Sequence, residues 1–349
     1  MATDGSAFGG AVDWDLAART GVKLAPSGPP TSRYTAEAVV AELSEASIRA
    51  EMPVREVTGL ADGLPVPTAQ ILDRGEWIRA AAHSMEQLTG GGDAEPGLLT
   101  GKTAGLQAGA MLAYLSSAIL GQYDPFTGEN GSLLLVAPNV VAVERALKVQ
   151  PSDFRLWVCL HEVTHRVQFS SSPWLTGYMQ ESVETLGSLV DESVTDLGRR
   201  LSSALRDRRR GELDESGAPG GLVGLMRAAQ AEPQREALDR LLVLGTLLEG
   251  HADHVMDAVG PAVVPSVTRI RAAFDIRRRR KSNPVHRLIR ALLGMDAKMA
   301  QYVRGKAFVD AVVDRVGMDR FNAVWTGPDT LPRLAEIDRP DAWVARVLG

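Results

Sequence analysis

The stretch FRLWVCLHEVTHRVQF, residues 154–169, decides the fold and the chemistry expected of this chain. It follows a Pro-Ser-Asp start signal at residues 151–153 and contains no helix breaker, so the pattern predicts one uninterrupted helix. Side chains four positions apart share a helix face, which places His161 and His165 side by side. Two neutral imidazoles in this arrangement can bind one zinc ion, with Glu162 beside them as a base.

The His-Glu-x-x-His spacing indicates a particular reaction. A zinc ion with an open coordination position holds a water molecule and lowers its pKa toward about 7. A carboxylate next to that water can then take its proton. The residues therefore predict a zinc-dependent hydrolase, and most simply a metallopeptidase that uses a zinc-bound water with Glu162 as general base. The alternative is a non-catalytic binding protein that keeps the zinc site for stability.

A second segment is needed because a catalytic zinc ion takes a third protein ligand. The apolar segment LLEGHADHVMD, residues 247–257, contains two acidic residues and two histidines in its middle. Such groups are costly to bury in a Leu- and Val-rich helix unless they are used. Glu249 and Asp253 are one helical turn apart, so one suits a ligand and the other an acceptor for the outer N–H of a ligating imidazole.

Two alternatives for the third ligand stay open at this point. His251 lies in the same segment as Glu249, and Glu192 stands one turn from Asp196 in a more polar segment. Tyr178, Tyr302 and His254 each carry an N–H or O–H group able to polarise a scissile carbonyl beside the metal. Aromatic residues and histidines on helices are far more often part of the core, so none of the three is chosen for this role.

Composition excludes several other classes of function. The 349 residues are 45% hydrophobic, enough for a large core, and carry a formal net charge of −5. A mildly acidic chain has no general attraction to nucleic acid or anionic lipid, so neither is an expected partner. The basic run at residues 277–281 is interpreted as a cationic helix end, because no aromatic residues alternate with it to stack bases. Cys159 is the single cysteine and is expected to be inert core packing.

The expected location is the cytoplasm. The N-terminal residues show neither a basic start nor an apolar stretch of signal-peptide length. No window reaches the roughly 18 consecutive apolar residues of a membrane span, so the membrane is not an expected partner. The expected partner is a peptide or protein substrate, and no feature of the sequence indicates an oligomeric state.

The pattern along the chain predicts a mainly α fold with a small β-sheet or hairpin. Residues 1–33, rich in Gly, Pro, Ser and Thr, are predicted to be an extended arm, and residues 34–349 a single domain. GSLLLVAPNVV, residues 131–141, is the clearest strand. LQAGAMLAYLSSAIL, residues 106–120, is apolar on most sides and is predicted to be a buried helix. Further helices are predicted at 140–149, 152–170, 174–209, 221–230, 232–258, 266–280 and 284–316.

The two metal-site segments resemble the gluzincin branch of the zincin metallopeptidases, in which a second helix supplies a glutamate through an E-G-x-A or E-x-x-x-D pattern. EGHAD, residues 249–253, fits both patterns. The chain is more closely similar to the actinobacterial zincin-like metallopeptidases of type 2, which are often linked to deazaflavin cofactor biosynthesis. The resemblance runs from about residue 34 to the C-terminus and includes GQYDPF, LLLVAPN, LHEVTHRVQF, LLEGHADHVMD and MAQYVRGKAFV.

This resemblance implies a zincin-like catalytic domain with Zn²⁺ as its cofactor. It also implies an edge strand beside the active-site helix that holds an extended peptide by β-augmentation, and LLLVAPN, residues 133–139, is the strand expected to do so. The residues that the resemblance assigns to the site are the ligands His161, His165 and Glu249, the base Glu162, and Asp253 as acceptor for the outer ring nitrogen of His161 or His165.

Overall fold

A computed structural model describes residues 12–90, 100–187, 232–279 and 295–349. The described chain is mostly helical and contains one three-stranded sheet, which confirms the predicted class. The strands are β1 (Gln70–Leu72), β2 (Gly121–Asp124) and β3 (Ser132–Val136). The α-helices are α1 (Trp14–Leu24), α2 (Arg33–Arg49), α3 (Glu51–Thr58), α4 (Arg74–Leu88), α5 (Thr100–Leu115), α6 (Ala137–Leu147), α7 (Pro151–Ser171), α8 (Trp174–Gly187), α9 (Glu232–Val263), α10 (Val267–Arg279), α11 (Met295–Val316), α12 (Met318–Phe321) and α13 (Pro340–Val347).

Several predictions fall on parts of the chain outside the described residues. They are the predicted helix 174–209 beyond residue 187, the helix 221–230, the helix 284–316 before residue 295, and the pair Glu192 and Asp196. Within the described ranges, no helix combines the length and apolar character needed to cross a membrane.

The chain divides into two compact units. Unit 1 takes in Met1–Thr176 and Val255–Arg279, and unit 2 takes in Gly177–His254 and Arg280–Gly349. Both units are discontinuous in sequence, because α9 supplies residues to each of them. A single domain over residues 34–349 stays a prediction.

In unit 1, β3 is the central strand of the sheet. It pairs with β1 in parallel and with β2 in antiparallel orientation, in the order β1-β3-β2. The expectation that residues 133–139 form an edge strand is therefore wrong. A continuous apolar run is typical of a strand that is buried on both faces. β2 stands at the end of the described sheet and packs against α7, so the edge position belongs to β2.

The two faces of β3 contribute to two different apolar clusters. Leu133 and Leu135 pack in a cluster with residues of α2, α6 and α7. Leu134 and Val136 pack in a second cluster with residues of α1 and α4. Successive side chains of a strand point to opposite faces, so one short apolar run serves both clusters. The sheet therefore has α7 on one face and α4 on the other.

The side chains of the edge strand β2 also alternate between two faces, and those on the α4 side are polar. On the α4 side, Gln122 Oε1 accepts a hydrogen bond from Trp77 Nε1 at 3.1 Å. Asp124 Oδ1 accepts another from Ser84 Oγ at 2.8 Å. Both acceptors are in a shielded environment where an unmade hydrogen bond is costly. These bonds hold β2 against α4 and leave its other face to α7.

Helix α7 is buried over most of its length and carries two arginines that need partners inside the protein. Arg155 Nε and Nη2 donate to the two carboxylate oxygens of Glu144 in α6 at 3.0 and 2.7 Å, and Nη1 pairs with Glu42 in α2. Arg166, only 1% exposed at its side chain, pairs with Glu51 in α3. These buried pairs fix α7 against three helices.

Part of the predicted N-terminal arm is helical. The Asp13 side chain accepts a hydrogen bond from the Leu16 amide at 2.7 Å and so caps α1. Gly109 of α5 lets the two helices lie close together, because a β-carbon on it would stand 2.6 Å from the Ala17 carbonyl oxygen. An extended arm is therefore the wrong description of Trp14–Leu24. The buried side of this helix uses small residues, which a composition argument does not distinguish from a loop.

The predicted buried helix at residues 106–120 also differs from the structure. Helix α5 ends at Leu115, and Leu106 and Met111 are 50% and 41% exposed. The close contact with α1 uses the glycine side of α5, since large side chains would hold the backbones apart. The prediction of a helix buried on most sides is therefore wrong, although Leu112 of α5 does lie in the apolar core.

The predicted strand at residues 131–141 ends earlier than expected. Helix α6 begins at Ala137, directly after β3, with Pro138 in its first turn. Proline is tolerated there because the first N–H groups of a helix have no partner within it. Asn139, in the next position, donates to the carbonyl oxygens of Ser116 and Ile119 at 2.6 Å each. This side chain joins the start of α6 to the end of α5.

In unit 2, helices α9 and α11 cross in backbone contact. A β-carbon on Gly250 would overlap the carbonyl carbon of Gly305, and a β-carbon on Gly305 would overlap the carbonyl oxygen of Thr246. The obstacle at both positions is backbone, which cannot rotate away as a side chain can. Only glycine fits at either position without separation of the helices.

We expect Gly250→Ala to lower the free energy of unfolding by about 1–3 kcal/mol, the usual cost of forcing extra atoms into a packed interior. Urea denaturation followed by circular dichroism measures this change. Gly245→Ala is the matched control, because it lies in the same helix and no atom stands within 4 Å of the position that its β-carbon would take. Alanine at residue 245 should leave stability unchanged or raise it by about 0.5–1 kcal/mol. An equal loss in both variants contradicts the tight crossing.

Candidate metal centre

Helix α7 brings the two predicted histidines together. The Nε2 atoms of His161 and His165 lie 3.2 Å apart, and the ring planes are nearly perpendicular at 87°. Two nitrogens bound to one tetrahedral zinc ion at about 2.0–2.1 Å stand about 3.3 Å apart. The spacing of the two rings therefore fits a shared zinc ion, with Nε2 as the ligand atom of each.

The outer nitrogen of each ring has a neighbour in unit 1. His165 Nδ1 lies 2.9 Å from Oε1 of Gln168, and His161 Nδ1 lies 3.3 Å from Sδ of Met256. Sequence reasoning gave the acceptor role to Asp253 and missed Gln168. Gln168 is therefore in position to accept from His165, and the assignment of Asp253 as acceptor for the outer nitrogen of His161 or His165 stays a prediction. The signal for Gln168 was its position, three residues after His165 on the same helix face.

Glu162 is buried next to the edge strand. The residue is only 7% exposed. A β-carbon on Gly121, the first residue of β2, would stand 2.6 Å from Cγ and 2.9 Å from Cδ of Glu162. The absence of a side chain at residue 121 makes room for this carboxylate between α7 and β2.

Cys159 lies on α7 close to Glu162 but faces the apolar core. It is fully buried, and its Sγ lies 3.9 Å from the Leu43 carbonyl oxygen. Burial raises the pKa of the Cys159 thiol well above its ordinary value, and the negative charge of Glu162 raises it further. The thiol therefore stays protonated at neutral pH, in agreement with the expected packing role, since the thiolate is the reactive form.

The direction of each acidic or imidazole group on α9 follows from helix geometry. At about 100° per residue, Glu249 and Met256 lie within about 20° of each other around the axis. Met256 is the residue whose sulfur contacts His161, so Glu249 is on the α9 face that contains this contact. Measured from Glu249 around the helix axis, Asp253 lies about 40° away, whereas His251 lies about 160° away, on the opposite side of the helix.

The environment of His251 agrees with that direction. The residue is fully buried, and its ring centroid lies 5.5 Å from that of Phe321 and 5.2 Å from that of Trp325. These are distances of aromatic packing. His251 is therefore an aromatic core residue of unit 2, which argues against it as an alternative third ligand.

Among the described residues, His161, His165 and Glu249 form a group that could hold a metal ion. Each offers one ligand atom, and these atoms all lie within 4.8 Å of one another. Two imidazole nitrogens and a carboxylate oxygen make a donor set that is common for catalytic zinc. The three residues fit the ion that the sequence pattern predicts.

Two of the three residues considered as carbonyl-polarising donors, His254 and Tyr178, have partners within unit 2. His254 Nδ1 pairs with Asp310 Oδ1 at 2.7 Å, and Lys306 donates to the second oxygen of that carboxylate at 2.5 Å. The guanidinium carbon of Arg240 lies 6.0 Å above the Tyr178 ring. The side chain of Tyr302 lies outside the described part of the chain.

Comparisons with known proteins give a family match and a structural match. A family model described as zincin-like metallopeptidase matches residues 12–344. A crystal structure of a candidate hydrolase with a novel fold, from Chloroflexus aurantiacus, is similar with a TM-score of 0.65 and 29% sequence identity, over 96% of this chain and 98% of that one. No curated protein matches the chain. Both matches support a hydrolase, and the chain belongs to the zincin-like metallopeptidase family.

Proposed function

We propose that this protein is a zinc-dependent hydrolase that cleaves a peptide or amide bond, with Glu162 as the general base. The observation that carries the proposal is the pair of Nε2 atoms of His161 and His165, 3.2 Å apart on one face of α7. A buried carboxylate stands next to them in the same helix. These are the groups that hydrolysis of an unreactive amide requires.

Glu249 is the third ligand in this proposal. Its support is the donor set, whose ligand atoms all lie within 4.8 Å of one another, together with its helix face, which it shares with Met256. His251 is disfavoured because it packs among aromatic rings on the opposite side of α9. A zinc ion bound by the three residues would supply a Lewis acid that polarises a carbonyl oxygen and makes water a better nucleophile at neutral pH.

Glu162 moves the proton in this reaction. Its carboxylate takes a proton from the attacking water and then gives it to the amine that leaves, so one group acts first as base and then as acid. The position of the carboxylate depends on Gly121, because α7 and β2 leave space there only for a residue without a side chain.

The strand beside Glu162 supports the proposal of a peptide substrate. β2 stands at the end of the described sheet, antiparallel to β3, and Gly121 brings it against the base. An extended peptide can add to such an edge through main-chain hydrogen bonds, which bind it largely independently of its sequence. We therefore assign to β2 the peptide-binding role that sequence reasoning gave to residues 133–139.

The metal site is tested by zinc content. Protein purified without added zinc should contain close to one equivalent, and the double variant His161→Ala, His165→Ala should contain almost none, because a single carboxylate cannot retain the ion. Glu249→Ala should bind zinc more weakly than the parent. Atomic absorption on dialysed samples measures this. His83→Ala is the control, since it removes an exposed histidine of α4 that pairs with Glu86. Full occupancy in the double variant refutes the site.

The role of Glu162 is tested by Glu162→Gln. This variant keeps the size of the side chain and all three metal ligands but removes the base, so zinc content should stay at the parent level. Turnover should fall by about 10²–10⁴-fold, measured by mass spectrometry on a peptide-library substrate that the parent cleaves. Equal turnover would refute the assigned role. A zinc-loaded parent that cleaves no member of a broad library would favour the non-catalytic binding protein instead.

The place of Gly121 is tested by Gly121→Ala. The added β-carbon should displace the Glu162 carboxylate, so turnover should fall at least about tenfold, in line with the sensitivity of catalysis to small displacements. Zinc content should not change, because the variant does not alter a ligand. Parent-level turnover in Gly121→Ala would show that the carboxylate tolerates the shift and that this contact does not position the base.

A further inference from the structure

We infer that Gln168 is the positioning residue of the metal centre, and that its side-chain carbonyl fixes the ring of His165 with Nε2 toward the metal position. The inference rests on the proposed zinc site. It concerns a residue that lies outside the His-Glu-x-x-His pattern and that is not one of the proposed ligands.

Gln168 is held within hydrogen-bond distance of His165. Gln168 is fully buried, and its Oε1 lies 2.9 Å from Nδ1 of His165. That distance is typical of an N–H···O hydrogen bond. Both residues are on α7, three positions apart, so the contact depends on the helix alone. A buried side chain on a rigid helix also has few other positions available to it.

The contact with Gln168 determines which nitrogen of the His165 imidazole carries the proton. A neutral imidazole has one N–H, and a carbonyl oxygen can only accept. When Nδ1 donates to Gln168, the proton is on Nδ1 and the lone pair is on Nε2. That is the tautomer that a metal needs at Nε2, and the acceptor also fixes the plane of the ring. Gln168 therefore selects both the tautomer and the orientation of His165.

The neighbour of the outer nitrogen of His161 is a weaker acceptor than Gln168. Its outer nitrogen lies 3.3 Å from the thioether sulfur of Met256. A thioether is a weak acceptor, so this contact holds a ring less firmly than an amide carbonyl does. Met256 belongs to the apolar cluster on the α7 side of the sheet. Of these two neighbours of the outer nitrogens, Gln168 provides the stronger constraint.

The test compares variants at residue 168 for their affinity for zinc. Zn²⁺ titration against a chromogenic chelator gives the dissociation constant without any substrate. Gln168→Leu should raise that constant by about 10–100-fold, the usual effect of losing such a supporting contact. Gln168→Glu retains an acceptor of the same length and should bind zinc as tightly as the parent or more tightly. Met256→Leu is the matched control and should change the constant by less than about threefold, because it exchanges side chains of similar volume.

A second readout separates positioning from general damage to the fold. The visible absorption spectrum of the Co²⁺-loaded protein reports ligand geometry, and it should change in Gln168→Leu but return toward the parent spectrum in Gln168→Glu. If Gln168→Leu does not fold, Gln168→Asn replaces it, because asparagine is one methylene too short to reach Nδ1. It should show the same weakened binding.

The outcomes distinguish this inference from the proposed function. A parent protein that binds no Zn²⁺ overturns both. A parent that binds Zn²⁺ while Gln168→Leu or Gln168→Asn binds it equally tightly overturns the role of Gln168 alone. A larger loss in Met256→Leu than in Gln168→Leu also overturns it, because the constraint would then come from the other ring.

Discussion

The burial of α7 is the constraint on which the rest of unit 1 depends. A helix that carries arginines and a glutamate into a packed interior is stable only if each charge finds a partner, since an uncompensated buried charge costs about 3–5 kcal/mol. Arg155 forms ion pairs with Glu144 and Glu42, and Arg166 forms one with Glu51. The neighbouring helices α2, α3 and α6 therefore take their places partly to neutralise α7. A different face of α7 carries the imidazoles of His161 and His165, the two candidate metal ligands.

Sequence periodicity predicts the long elements of this fold but not the short ones. The helices α7 and α9 and the strand β3 follow from apolar spacing, because each is long or strongly apolar. Strands β1 and β2, with 3 and 4 residues, are too short to show alternation and form only because β3 offers both of its sides. Helix α1 is hidden in a segment of loop-like composition, since its contact with α5 requires small residues. Local patterns cannot reveal such needs, because they arise from tertiary contact.

The sequence likewise predicts one part of the candidate site and not the rest. The spacing of His161 and His165 predicts their shared face, because four residues make about one helical turn. Their outer neighbours depend on rotamers and on packing, so the contact of Gln168 with His165 was not predicted, and the acceptor role of Asp253 stays a prediction. The direction of His251 could have been predicted from the helical wheel once Glu249 was chosen, whereas its aromatic neighbours could not. Gly121 has no signal of its own, because its role is to leave a space.

The backbone contact between Gly250 and Gly305 has a mechanical consequence for α9. Gly305 lies against two residues of α9 that are one turn apart, Gly250 and Thr246. No side chain separates the two backbones along this turn, so sliding one helix past the other would require backbone atoms to overlap. Glu249 lies between these two positions in the sequence, so the glycine contact limits how far the backbone that carries its carboxylate can shift relative to α11.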